Sequence, residues 1–139
     1  MRKKGFTLIE LLVVIAIIAL LATIAVIALG QSRIRARDAR RLSDIKQMQT
    51  ALALYMQEAG SYPNDLASNT IAYSGNVYMS VIPTPPTPDD GCTGSAAYTY
   101  TVQALGGNSN GSYTLRYCLG AAVGDITSGL HTATPGGIR

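Results

Sequence analysis

The sequence predicts an α+β fold, with one long N-terminal helix whose outer half packs on a small antiparallel sheet. Three observations carry that expectation. An apolar stretch at the N-terminus runs without proline into an amphipathic stretch, a proline-rich segment follows, and the spacing of apolar residues then changes from three or four to two.

The apolar stretch comes first. From Phe6 to Leu29, 24 residues hold one charged side chain, Glu10, and two other polar ones, Thr7 and Thr23. A helix of that length spans about 36 Å, enough for a hydrocarbon core of about 30 Å, so a single membrane-spanning segment is expected. A secretory signal peptide shares the basic start, Arg2-Lys3-Lys4, and the small residues around Ala28-Leu29-Gly30. Its apolar run is shorter, however, at about 7–15 residues.

Residues 31–59 continue the helix. Leu42, Ile45, Met48, Leu52, Met56 and Ala59 recur at spacings of three and four and form one stripe. Arg40, Arg41, Asp44, Lys46 and Glu58 lie off it. The first proline is Pro63, so nothing forces a kink, and Gly30 is the one weak point. Gly60 suits the helix C-cap. A continuous helix from Phe6 to Ala59 measures about 80 Å.

The connection over residues 61–96 has no clean period, and Pro83, Pro85, Pro86 and Pro88 make much of it extended. Val77 to Ile82 predicts a short strand or a helical turn. Alternation of period two then appears in Ala97 to Ala104 (Tyr98, Tyr100, Val102 on one face) and in Ser112 to Leu119 (Tyr113, Leu115, Tyr117, Leu119). The turn-rich loop Gly106 to Gly111 between them predicts a hairpin. A third strand is expected within Ala121 to Thr134, and the helix stripe covers the apolar sheet face.

Charge excludes several functions. The net charge of +3 is modest, and no aromatic residue interleaves Arg33 to Arg41, so a single-strand stacking platform is absent and nucleic acid is not an expected partner. That run is expected to be a solvated helix face near lipid headgroups, the alternatives being pairing with acidic groups on neighbouring subunits and DNA binding. The positive-inside rule, taken alone, puts the C-terminal domain in the cytoplasm, because five arginines follow the span and three basic residues precede it. His131 is the only histidine and stands on a Gly/Thr-rich tail, where a surface loop is expected. Asp89-Asp90-Gly91 reads as a turn before Cys92. No phosphate-binding loop or zinc spacing occurs, so no enzyme, cofactor or metal is expected. Cys92 and Cys118 are an even count; if joined, they close a loop of about 27 residues worth about 3.5 kcal/mol in chain entropy, the alternative being two free thiols.

The informative stretch is Lys4-Gly5-Phe6-Thr7-Leu8-Ile9-Glu10-Leu11-Leu12. Glu10 lies one turn inside the apolar span, where a charge costs a few kcal/mol, roughly, unless it finds a partner. The span contains no basic side chain. Cleavage after Gly5 would create a cation, the α-amine of Phe6, four residues before Glu10. Gly5 has no side chain to keep a protease from the bond.

A basic leader, then Gly-Phe-Thr-Leu-Ile-Glu, then an apolar helix resembles the class III signal of type IV prepilins and their secretion-system relatives. The likeness extends over Ala39 to Ile45, Leu52 to Tyr55 and Gly60-Ser61-Tyr62-Pro63, so specific motifs cover the first 63 residues and the rest agrees in architecture only. The resemblance implies a pilin-like fold. It implies cleavage between Gly5 and Phe6 by a prepilin peptidase, N-methylation of Phe6, and pairing of Glu10 with the N-terminus of an adjacent subunit. It implies a domain plan: a leader at 1–5, a transmembrane and filament-core helix at 6–30, and an extracytoplasmic domain at 31–139, with its helix to about 60, connection at 61–96 and sheet at 97–134.

The implied partners are further copies of the chain, the peptidase, an inner-membrane assembly platform with its ATPase, and membrane lipid before assembly. The implied location is the cytoplasmic membrane, leader inside, and then a cell-surface filament. That placement opposes the positive-inside reading, and the polar, cysteine-containing domain agrees with export and so with a Cys92–Cys118 bond. Ala16, Ala19, Ala22, Ala25 and Ala28, three apart, suit lateral helix packing. Two departures stand out: no proline interrupts the helix, and the C-terminal region offers only Asp125 as an acid, so no calcium is expected. The alternatives are a pseudopilin or minor pilin of a secretion or DNA-uptake system, or, from another class, a bitopic protein presenting an extracellular binding module.

Overall fold

The computed structural model describes residues 5–92 and 97–138. The basic residues Arg2 to Lys4 and the last four residues of the expected connection lie outside the described residues. The chain divides into two compact units, one ending at Arg33 and one beginning at Ile34.

In the first unit, helix α1 (Leu8–Ala59) begins. Every described side chain up to Arg33 is exposed. Leu, Ile, Val and Ala occupy all sides of the helix, so no polar face is available to turn toward water. Its most apolar 18-residue stretch has a mean hydropathy of 3.3, and among the described residues it is the one helix long and apolar enough to cross a membrane. Gly30 does not interrupt it.

In the second unit, the rest of α1 packs on antiparallel sheet, an α+β pilin-like architecture. Strands β1 (Ile71–Tyr73) and β2 (Asn76–Met79) form a two-stranded ribbon. Strands β3 (Thr99–Leu105), β4 (Asn108–Leu119), β5 (Gly129–Thr134) and β6 (Gly137–Ile138) form a four-stranded sheet in sequential order. The period-two pattern selects the buried face. Tyr113, Leu115, Tyr117 and Leu119 of β4 point inward against Ile45, Met48, Ala51 and Leu52 of α1, while Thr99 faces Arg116 and Thr101 faces Thr114 on the outer side. Each such buried side chain contributes about 1.5–3 kcal/mol. Tyr62 packs edge to face on Tyr113 at 4.8 Å, and Tyr100 stacks on the same ring at 5.9 Å. Tyrosine hydroxyls in and just before β3 reach acceptors, Tyr100 donating to the Pro63 carbonyl at 2.7 Å and Tyr98 to Asp44 Oδ2 at 2.9 Å.

The helix ends where Gly60 takes a φ of 72° and its N–H reaches the Met56 carbonyl. The amide of Asn110 then donates to the Tyr62 carbonyl at 3.0 Å, and the Tyr62 N–H donates to the Asn110 carbonyl, which ties the helix exit to β4.

Several expectations need correction. The hairpin loop is only Gly106-Gly107, both at positive φ, and Asn108 to Gly111 belong to β4. Their side chains close the helix end rather than a turn. Strands β1 and β6 carry no alternation long enough to read. His131 lies on β5, packed on the ring of Tyr117 at 5.6 Å, not on a loop. Arg41 and Asp44, placed off the packed stripe, are buried, as is Asp38.

Candidate functional site

Two constellations concentrate the polar chemistry of this chain. The first is at the start of α1. Gly5, Phe6 and Thr7 are not helical, and the ladder begins with the Leu11 N–H donating to the Thr7 carbonyl at 3.3 Å. Thr7 is the N-cap and Glu10 is the third helical residue. The Thr7 hydroxyl and the Thr7 N–H both donate to Glu10 Oε2, at 2.6 and 2.8 Å, and the Glu10 N–H lies 3.3 Å from Thr7 Oγ1. This is a capping box, which satisfies orphan donors at both residues. The sequence signal for it, Thr-x-x-Glu before an apolar run, stands in plain view, and the reading that treated Glu10 as an acid without a local partner missed it.

The box has two consequences. It fixes the helix start, leaving the Gly5–Phe6 bond in exposed non-helical backbone, and a Cβ on Gly5 would meet nothing within 4 Å. It also engages only one oxygen of the carboxylate; among the described residues Oε1 has no partner. Phe6, Ile9, Glu10, Val13 and Val14 line one depression around it.

The second constellation lies in the unit that begins at Ile34. Arg37 forks onto Asp90, Nε to Oδ2 at 2.6 Å and Nη2 to Oδ1 at 2.5 Å. Arg41, 2% exposed, donates through Nη1 to Asp38 Oδ1 at 2.5 Å and to Asp90 Oδ2 at 3.3 Å, and through Nη2 to the carbonyls of Pro86 and Pro88 at 3.0 Å each. Asp38, fully buried, also accepts from the Gly120 N–H at 3.0 Å and the Ala121 N–H at 2.7 Å. Two cations and two carboxylates thus balance, with their hydrogen-bonding capacity largely filled, which is the condition under which buried charge is tolerable. The hydrogen bond from Arg37 is the main cause that holds the Asp90 carboxyl below its ordinary range, and the same bond raises the Arg37 guanidinium.

Cys92 and Cys118 are joined in a disulfide. Asp90 precedes one half by two residues, and Gly120 follows the other by two. Both ends of the crosslink are therefore pinned to one turn of α1, residues 37–41. Asp89-Asp90-Gly91 is the turn into Cys92, with Asp90 at φ 56°. The fit is close: a Cβ on Gly120 would stand 2.4 Å from the Asp90 carbonyl. Gly120→Ala is expected to lower stability by about 1–3 kcal/mol through overpacking, read as a shift in the urea midpoint of the full chain in detergent.

The basic run is therefore split. Arg41 is buried, Arg37 is half-buried, and Arg33, Arg35 and Arg40 are exposed. No group of three metal-ligating side chains occurs among the described residues.

The first 26 residues match the family model described as the prokaryotic N-terminal methylation motif, the class III signal of type IV pilins. The match takes in Gly5, Phe6, Thr7 and Glu10. No curated protein and no solved structure matches the chain.

Proposed function

We propose that this chain is a prepilin, the membrane-held precursor of a structural subunit in a type IV pilus-like filament, and that it performs no catalysis. The observation that carries the reading is the start of α1. A glycine bond lies in free backbone, immediately ahead of a capping box, at the head of a helix of membrane length that carries a methylation motif.

The chemistry follows in order. Residues 1–5 form the leader, on the cytoplasmic side, and prepilin peptidase cuts between Gly5 and Phe6. The amide nitrogen of Phe6 becomes an amine, which is methylated and remains a cation. Glu10 Oε2 stays with Thr7, and Oε1 is free to accept from the amine of a neighbouring copy. That pairing removes two charges from an apolar setting at once. Residues 6–30 leave the bilayer for a bundle of like helices, so lipid is exchanged for equally apolar surface and the transfer costs little. Residues 31–139 stay outside the membrane. An assembly platform and a separate ATPase supply the work.

Intact mass of the chain recovered from sheared filaments tests the reading. The expected value is that of residues 6–139 plus one methyl group. A chain beginning at Met1 overturns it.

A further inference from the structure

We propose that the exposed face of α1 beyond Arg33 docks, with an axial stagger, on a second copy of this chain, Arg40 of one copy pairing with Glu58 of another, a different neighbour from the one whose Phe6 amine meets Glu10. The inference rests on the filament-subunit reading and names a contact within it.

Arg40 and Glu58 are 18 residues apart, which is five helical turns, so both stand on one side of α1 about 27 Å apart along its axis. Both are exposed, and Ser43, Gln47, Thr50 and Leu54 between them are exposed and uncharged. This face therefore carries Arg40 at one end and Glu58 at the other, with the exposed Lys46 at its margin adding a second cation to the Arg40 end. Arg40 makes no ion pair among the described residues, whereas Arg37 and Arg41 beside it do. Asp44, one turn on, is buried and takes the Tyr98 hydroxyl instead.

Glu58 is an acceptor held in place. Asn76 Nδ2 donates to Oε1 at 3.0 Å and to Oε2 at 3.1 Å, and the Tyr78 hydroxyl donates to Oε2. These neutral donors orient the carboxylate and leave its charge unbalanced; the hydrogen bond to the Glu58 carboxylate in turn pushes the Tyr78 hydroxyl up to about 12. Leu54, Gln57 and Tyr78 line a shallow depression with it, which a guanidinium stem can fill.

The charge order selects the arrangement. Copies held in one membrane by the same apolar helix run parallel, so an antiparallel pair is excluded. Two parallel copies in register set Arg40 beside Arg40 and Glu58 beside Glu58, and both contacts repel. A shift of about 27 Å sets Arg40 of one copy beside Glu58 of the other. It leaves an Arg40 and a Glu58 free at the two ends, so the contact is heterologous and repeats without closing, as a filament requires.

Charge reversal tests this in the full chain. Glu58→Arg and Arg40→Glu are each expected to lower the yield of sheared filaments about fivefold, and the double variant to restore it to within about twofold of the parent. Glu58→Gln, which keeps an acceptor for Asn76, is expected to lose about twofold. Intact mass and thermal unfolding of each variant confirm processing and folding. Parental yields from both single reversals, or a double variant no better than the singles, overturn the pairing while a processed, filament-forming parent leaves the subunit reading standing. A parent that keeps its leader overturns both.

Discussion

Glu10→Ala is expected to leave the chain inserted in the membrane and to reduce sheared filaments by about a hundredfold or more, the loss typical of removing one partner of a desolvated charge pair at an interface. Insertion survives because the change makes the span more apolar. Two companion variants separate the roles of this side chain. Glu10→Gln keeps an acceptor for the Thr7 hydroxyl but removes the charge that balances the Phe6 amine, so it fails nearly as completely. Thr7→Ala removes the hydroxyl from the cap and keeps the charge, so filaments persist with a modest loss. Membrane fractions and sheared material from the same cells are compared by immunoblot. Normal filaments from Glu10→Ala sink the assembly role; failure of Thr7→Ala alone assigns the residue to helix capping.

Arg41→Ala is expected to be the most damaging single change in the second unit, at about 3–5 kcal/mol, because it leaves the carboxylates of Asp38 and Asp90 buried without their shared cation. Loss of the Cys92–Cys118 bond is expected to cost about 2–5 kcal/mol. The two losses are expected to add to less than their sum, by about 1–2 kcal/mol, since the crosslink and the ion cluster hold the same segment to the same helical turn. Urea unfolding of the full chain in detergent, with the single and combined variants, reads the coupling; strict additivity contradicts it. Acid acts on the same cluster. The pKa of Asp90 is lower folded than unfolded, so its contribution is full above the unfolded value of about 4 and is lost as pH falls through the folded value. Asp90→Asn is expected to flatten that acid limb.

The difference between what was legible and what was not lies in range. The hairpin faces were readable because Tyr98 to Val102 and Tyr113 to Leu119 alternate locally. The stripe Ile45, Met48, Leu52 was readable for the same reason at helical spacing. Asp38 and Arg41 were not, because a carboxylate and a guanidinium three residues apart on a helix look like any surface pair. What buries them arrives from residues 86–90 and 120–121, more than 40 positions away in the chain. The capping box at Thr7 and Glu10 is a different case, because its signal, Thr-x-x-Glu before an apolar run, is local and lies wholly within four residues.

The sequence by itself determined the elements whose cause is local: an apolar helix of membrane length with one acid near its head, a proline-free amphipathic continuation, a glycine stop, and a tyrosine-rich hairpin. Only the tertiary structure decided which charges face inward, that the disulfide and the Asp90 turn close on one turn of α1, and that Arg40 and Glu58 remain outside on a common face. Periodicity is set by the geometry of the backbone and can be read along the chain. Burial of a charge depends on partners brought together by folding, and no local pattern encodes them.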